Sequence, residues 1–272
     1  RTGIISFVTQ FIHSHSGNII YLDQHVDKPS NIFFMRLETE FEGRGFETDS
    51  FKSAFETSIA QPYAMHWNLF YDTEKPKMAL FVSKYNHCLY DLLSRQNSGE
   101  LAVDIPFILS NHPDLKFIAD QFGIPFCHVP FSKENQIEAE AEQSTLVKEH
   151  KIDFIVLARY MQIIGKSLID VFPNRIINIH HSFLPAFAGA KPYHAAFKRG
   201  VKIIGATSHY VTPALDEGPI IEQDVIPVSH SHSISDFISK GRDLEKIVLA
   251  RAIKLHVLRK TMVYNNKTVI FS

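Results

Sequence analysis

The run Asp153-Phe-Ile-Val-Leu-Ala158 has no polar side chain between its aspartate and its alanine. A strand of this kind cannot turn one face to water, so both faces need cover, as at the centre of a sheet flanked by helices. Around it, short apolar runs alternate with segments of helical spacing. Met78-Ala-Leu-Phe-Val82 is the first such strand, and residues 102–110 and 124–129 follow as strands. Helices are predicted over 88–95, over 115–122 with Gly123 as the stop, and over 135–150, whose charges form a solvated face. Asn111-His-Pro-Asp reads as the exit loop of its strand. Strands alternating with helices predict a parallel sheet with crossover connections.

Toward the C-terminus, residues 235–259 read as helix in two pieces joined near Gly241. Leu244, Val248, Leu255 and Leu258 form the stripe expected to pack on the sheet. Residues 262–271 fold back about Asn265-Asn266, a hairpin signal. The first part of the chain has a different rhythm. Residues 3–15 carry Ile4, Ile5, Val8, Phe11 and Ile12 at near-helical spacing, closed by Ser16-Gly17. Strands are predicted over 18–25 and 31–39, a helix over 50–59, and a third strand over 65–71. The polar, Pro-containing stretch Asp72-Thr-Glu-Lys-Pro-Lys77 is the predicted linker, which sets domains at 1–75 and 76–272.

Composition narrows the class of function. The 272 residues are 45% hydrophobic and 21% charged, with a formal net charge of −1. That balance supports a real core and gives no global pull toward nucleic acid or an anionic membrane. No apolar run reaches the roughly 18 residues a membrane helix needs. Cys88 and Cys127 are too few for a disulfide framework and fit free thiols in a cytoplasmic setting.

The chemistry concentrates between Arg175 and Gly218. Ile176, Ile177 and Ile179 are β-branched and predict a short strand. Side chains two apart share a face, so Asn178 and His180 point one way, with Ile177 and Ile179 on the other. Pro185 and Gly189 stop this strand, and ligands of open α/β sheets bind beyond the carboxyl ends of strands. A second apolar run over 201–206 leads to His209 and the loop Val211-Thr-Pro-Ala-Leu-Asp216-Glu-Gly218. Asp216 lies 38 positions after Asn178.

The pattern Asn-x-His-x-Ser-x-x-Pro from Asn178 to Pro185, followed by Leu215-Asp-x-Gly-Pro219, resembles the formyltransferase superfamily that uses 10-formyltetrahydrofolate. Over nearly its whole length the chain resembles the formyltetrahydrofolate deformylase family, which are hydrolases. The resemblance implies an open, mostly parallel sheet flanked by helices, and a catalytic trio at Asn178, His180 and Asp216 with Ser182 in support. It implies hydrolysis of 10-formyltetrahydrofolate to tetrahydrofolate and formate, serving one-carbon balance and purine synthesis. In Leu157-Ala-Arg159-Tyr160-Met161-Gln162-Ile163-Ile164 it puts substrate contacts at Met161, Gln162 and Ile164, with His209 and Val211 closing the other side. Gln162 stands where the family commonly has Arg. The residue types suit the reaction: Asn178 offers an amide donor, His180 a ring donor, and Asp216 an acceptor for a proton of water or a partner that charges His180.

Thr2-Gly-Ile-Ile and Gly17-Asn18-Ile19 resemble a ferredoxin-like ACT regulatory domain whose usual first strand would precede Thr2. This implies an amino-acid effector, methionine or glycine, at Gly3 and Asn18, and a homo-oligomer. Related transferases hold an acceptor phosphate in a Gly-rich loop after the first strand of the catalytic domain. Here the matching stretch is Val82-Ser83-Lys84-Tyr85-Asn86-His87-Cys88-Leu89, without glycine, which favours water as acceptor. The pairs His13/His15, His180/His181 and His230/His232 lack zinc-site spacing, so no metal and no cofactor is predicted. Two rivals stand beside this reading. One is a formyltransferase with an amine acceptor near Lys84; the other is a catalytically idle ACT protein that senses amino acids.

Overall fold

The computed structural model describes residues 2–41, 47–186 and 192–271; Gly189 lies outside them. The chain divides into two compact units, Arg1–Glu74 with Phe271–Ser272, and Lys75–Ile270. No helix among the described residues is long and apolar enough to cross a membrane.

The first unit contains α1 (Ile4–Ser14), β1 (Gly17–Asp27), β2 (Ile32–Phe41), α2 (Thr48–Phe55), a π-helical turn over Glu56–Ala60, and the short α3 (Gln61–Tyr63). β1 and β2 form an antiparallel hairpin with an irregularity between Ile19 and Tyr21. Val8, Phe11 and Ile12 of α1 meet Phe51, Phe55 and Ile59 in one apolar cluster. Gly17 is needed where the strand passes α1: a Cβ there would lie 2.7 Å from both Ile12 Cγ2 and Thr39 Cγ2. Residues 65–71 depart from expectation. Their burial alternates as in a strand, with Met65, Trp67 and Leu69 packed on the cluster. Yet they join no ladder among the described residues, because apolar alternation specifies a face and not a hydrogen-bonding neighbour.

The second unit is built on a seven-stranded sheet among the described residues. In chain order its elements are β3 (Met78–Val82), α4 (His87–Asn97), β4 (Ile108–Ser110), α5 (Lys116–Phe122), β5 (Phe126–His128) and α6 (Gln136–Glu149). β6 (Phe154–Leu157), α7 (Lys166–Val171), β7 (Ile176–His180), α8 (Pro192–Arg199), β8 (Ile203–Tyr210) and β9 (Ile220–Pro227) follow. α9 (Ile234–Val257) and the hairpin of β10 (Thr261–Tyr264) and β11 (Lys267–Ile270) end the unit. The strand order is β5-β4-β3-β6-β7-β8-β9, which puts the all-apolar β6 in the middle. β3 to β7 pair in parallel, and β8 and β9 extend the sheet antiparallel.

Side-chain alternation divides the core by sheet face. Met78, Leu80, Val82, Phe154 and Val156 join the cluster with α9, while Ala79, Phe81, Ile155 and Leu157 join the one with α6 and α7. Each fully buried Leu, Ile or Phe contributes roughly 1.5–3 kcal/mol relative to exposure. The strand expected over 102–110 shortens to Ile108–Ser110, with only a bridge at Asp104 before it. α7 and α8 were not legible in the sequence; α7 is a single short amphipathic piece.

The helix expected in two pieces is one continuous 24-residue helix, α9. Gly241 is not a joint but a contact. A Cβ there would lie 2.1 Å from Tyr193 Cζ, so glycine lets the α8 ring rest on the helix backbone. Leu244 and Val248 are buried as expected, whereas Leu258 is exposed beyond the helix end.

Candidate active site

β7 ends at the sheet's C-terminal edge with Asn178 and His180 on one face and Ile177 and Ile179 in the core on the other. β8 runs antiparallel beside it in a register that sets His209 opposite Asn178 and Thr207 opposite His180. Leaving β8, the chain turns at once: Tyr210 N–H donates to Pro219 O at 2.9 Å, closing the loop that holds Asp216. Gly218 is required for this closure, since a Cβ would sit 1.7 Å from Tyr210 O. Asp216 itself has φ 57, a left-handed conformation that Asp tolerates better than most residues.

The loop carries Asp216 Oδ2 to 3.2 Å from His180 Nδ1. His180 Nδ1–H donates to the carboxylate; that bond first, and the nearby His209 next, hold Asp216 well below the usual carboxylate range while burial opposes them. His180 Nε2 is buried with no hydrogen-bond partner among the described residues, and so is Ser182 Oγ. Buried polar atoms without partners are uncommon and point to a ligand they await.

His209 sets the orientation of Asn178. Its Nδ1 lies 2.9 Å from Tyr210 O, which can only accept, so Nδ1 carries the hydrogen. In the neutral ring Nε2 then accepts from Asn178 Nδ2 at 3.3 Å. Asp216 Oδ1 is 3.6 Å from the same nitrogen, beyond hydrogen-bond reach. Asn178 therefore presents its amide nitrogen to the cluster, with a second hydrogen to spare. Ser182 is held by Thr207, whose Oγ1 donates to Ser182 O at 2.8 Å and accepts from Leu184 N–H at 3.0 Å.

The remaining sequence-derived positions distribute unevenly. Met161 is exposed, and its N–H is already given to Ser83 Oγ at 3.0 Å. Gln162 is half-buried, whereas the Ile164 side chain belongs to the core, leaving only its backbone for a ligand. Val211 packs at the rim of that core and donates its N–H to Ile176 O at 2.8 Å. In the first unit, Gly3 precedes α1 with φ 84, and Asn18 is exposed on β1 opposite Glu40.

Sequence reasoning missed a second polar cluster close by. Glu245 of α9 is 1% exposed and accepts from Tyr193 Oη at 2.6 Å and His87 Nε2 at 2.8 Å, with Arg159 Nη1 at 3.5 Å. The signal was present: Gly241, Glu245, Val248 and Ala252 share the buried stripe of α9, and a carboxylate on such a stripe needs partners. His181 bridges the two clusters, its ring 5.2 Å from His180 and 5.7 Å from Tyr193. Burial, and next the nearby Arg159 charge, push the His181 pKa down to about 3, so it stays neutral.

The chain is similar to known proteins over its whole length. Residues 76–253 match the formyl transferase family. A formyltetrahydrofolate deformylase from Synechocystis is 51% identical over all of this chain and 95% of its own length. The crystal structure of a formyltetrahydrofolate deformylase from Pseudomonas syringae superposes with a TM-score of 0.97 at 47% identity, over 100% of this chain and 91% of that one. A glycinamide ribonucleotide transformylase from Symbiobacterium toebii gives 0.70 at 26% identity, over 76% of this chain and 99% of the other.

Proposed function

The chain belongs to the formyltetrahydrofolate deformylase family, and from that premise we propose that Asn178, His180 and Asp216 perform its hydrolysis. The enzyme converts 10-formyltetrahydrofolate and water to tetrahydrofolate and formate. In this reading water adds to the formyl carbon, the carbon–N10 bond breaks, N10 takes a proton, and formic acid loses one to become formate. Charge develops on the formyl oxygen as water adds. The free hydrogen of Asn178 Nδ2 and a hydrogen on His180 Nε2 meet that charge, and donors fixed in a water-poor site lower such barriers most. Asp216 accepts the His180 Nδ1 hydrogen and fixes the ring, which in its imidazolium form donates from Nε2. Being kept ionised, it also orients the attacking water and draws its proton.

The observation that carries this reading is the His180 ring, tied through Nδ1 to Asp216 and, among the described residues, unpartnered at a buried Nε2 on the strand face it shares with Asn178. The site supplies oxyanion donors and a carboxylate with no need of a metal or cofactor. Ser182 supports the turn and offers to the substrate its Oγ, which has no partner among the described residues. Met161 and Gln162, the Ile164 backbone, His209 and Val211 line the folate side.

For the first unit we take the ACT-like reading, covering about residues 1–75, with methionine or glycine near Gly3 and Asn18 and a homo-oligomer as the working assembly. Formate released in the cytoplasm would serve one-carbon balance and purine synthesis.

The test is formate release from 10-formyltetrahydrofolate with no acceptor present. Wild type should turn over, and Asp216→Asn should lose at least about a hundredfold in kcat, the scale of a general-base effect. Near-equal turnover by the variant would remove Asp216 from the chemistry.

A further inference from the structure

The Glu245 cluster is a buried charged group that the hydrolysis does not use. It sits at the carboxyl ends of the parallel strands, where open sheets bind ligands. His87 starts α4 just after β3, and Arg159 follows β6, the strand paired with β3. The Ser83 Oγ bond to Met161 N–H ties the two turns together. A turn of this kind at a helix N-terminus can cradle an anionic ligand when its backbone is open. Here the turn has no glycine, and its large side chains are engaged. Tyr85 lies under the Arg159 guanidinium at 4.9 Å and under that of Arg242 at 5.6 Å. His87 is bonded to Glu245, whose carboxylate would repel an anion at this helix end. Tyr193 completes the wall, its ring seated on Gly241 and its hydroxyl on Glu245.

A metal reading of the same residues is weaker. The ligand atoms of His87, Cys88 and Glu245 lie within 4.8 Å of one another. But both Glu245 oxygens already accept hydrogen bonds, and the Arg159 cation is 3.5 Å away. An added cation would have to break that arrangement.

Through His181 this wall abuts His180. A solved transformylase shares the catalytic fold, so the scaffold itself accommodates an amine acceptor. We propose that Tyr85, His87, Arg159, Tyr193 and Glu245 form a plug that fills the acceptor side of the crevice and makes water the only nucleophile able to reach the formyl carbon. Water needs roughly 30 Å³, far less than any primary amine with a side chain. The plug is a specificity determinant and not part of the bond-breaking machinery. The inference rests on the hydrolytic reading above.

The test opens the plug and offers an amine. Glycinamide is added to the enzyme with 10-formyltetrahydrofolate, and formate and N-formylglycinamide are both quantified. In the diverted reaction the amine nitrogen bonds to the formyl carbon and gives up a proton, while N10 leaves and takes one. Wild type should yield formate alone. Tyr85→Gly/His87→Gly should still hydrolyse and should make N-formylglycinamide in proportion to glycinamide, at least about tenfold above wild type, the scale on which pockets discriminate. Should the double variant not fold, His87→Gly is read in the same way. A folded, hydrolysing variant whose products ignore glycinamide overturns the plug. Absence of formate from wild type instead overturns the hydrolytic reading and the plug with it.

Discussion

Asp216 Oδ2, in the loop that joins β8 to β9, lies 3.2 Å from His180 Nδ1 at the end of β7. That bond first, and the nearby His209 next, hold the carboxyl below its ordinary range, which has a consequence for stability. A depressed carboxyl stabilises the fold at pH values above the unfolded pKa of about 3.9, and the contribution fades as pH falls through the lower folded value. Asp216→Asn lacks this contribution. The Tm difference between wild type and Asp216→Asn should therefore shrink on acidification below about pH 4. A constant difference down to pH 3 would mean that the pair does not stabilise the fold.

His209 orients Asn178 without being needed as a proton carrier. His209→Ala should free the amide to rotate and lower kcat by roughly tenfold, with KM changed less, because a misplaced donor loses mainly transition-state contact. His209→Gln retains an acceptor and should recover part of the rate. Steady-state kinetics on both variants decides.

Gly218→Ala probes the loop closure. The new methyl would fall 1.7 Å from Tyr210 O, an oxygen of the β8 backbone that cannot move aside alone. Overpacking of this kind costs about 1–3 kcal/mol, and here relief comes by moving the Asp216 loop. Activity should fall at least about a hundredfold while the fold survives, as the general-base carboxylate leaves its place. A near-normal kcat would show that the loop tolerates the displacement.

At Gly241 two effects compete. Alanine in mid-helix gains about 1 kcal/mol over glycine in propensity. The Cβ would meet Tyr193 Cζ at 2.1 Å, and driving out that ring costs about 1–3 kcal/mol and breaks its bond to Glu245. The clash should win, so Gly241→Ala should lower Tm. A rise in Tm would mean that Tyr193 moves at no cost.

His256 is buried against Phe154 and Tyr210, and its Nδ1 lies 2.8 Å from Tyr210 Oη. Burial is the main cause that pushes its pKa down to about 3. The unfolded chain binds this proton near pH 6.5 and the folded chain does not, so stability is complete above pH 6.5 and falls as pH drops toward 3. Each such histidine contributes a slope of up to about 1.4 kcal/mol per pH unit in that window. His181 adds a second. Urea unfolding of His256→Gln between pH 4.5 and 6.5 should show a shallower slope than wild type.

Local chemistry determined much of this protein directly from sequence. Phe154–Leu157 had to be covered on both faces, and it is the central strand. The two-residue period fixed Asn178 and His180 to one face of β7, and Asn265-Asn266 fixed the last hairpin. These are properties of neighbours along the chain, where period and turn chemistry suffice. The tertiary structure alone decided what depends on distant partners. The β7–β8 register brought His209 to Asn178, and the bare backbone at Gly218 let the Asp216 loop close. Glu245 gained His87, Arg159 and Tyr193 from three other segments, and Gly241 proved to be a seat for a ring and not a break in a helix. A sequence shows which groups need a partner; only the packed chain settles which groups come within reach, because close approach is set by sheet register and by the space that missing side chains leave.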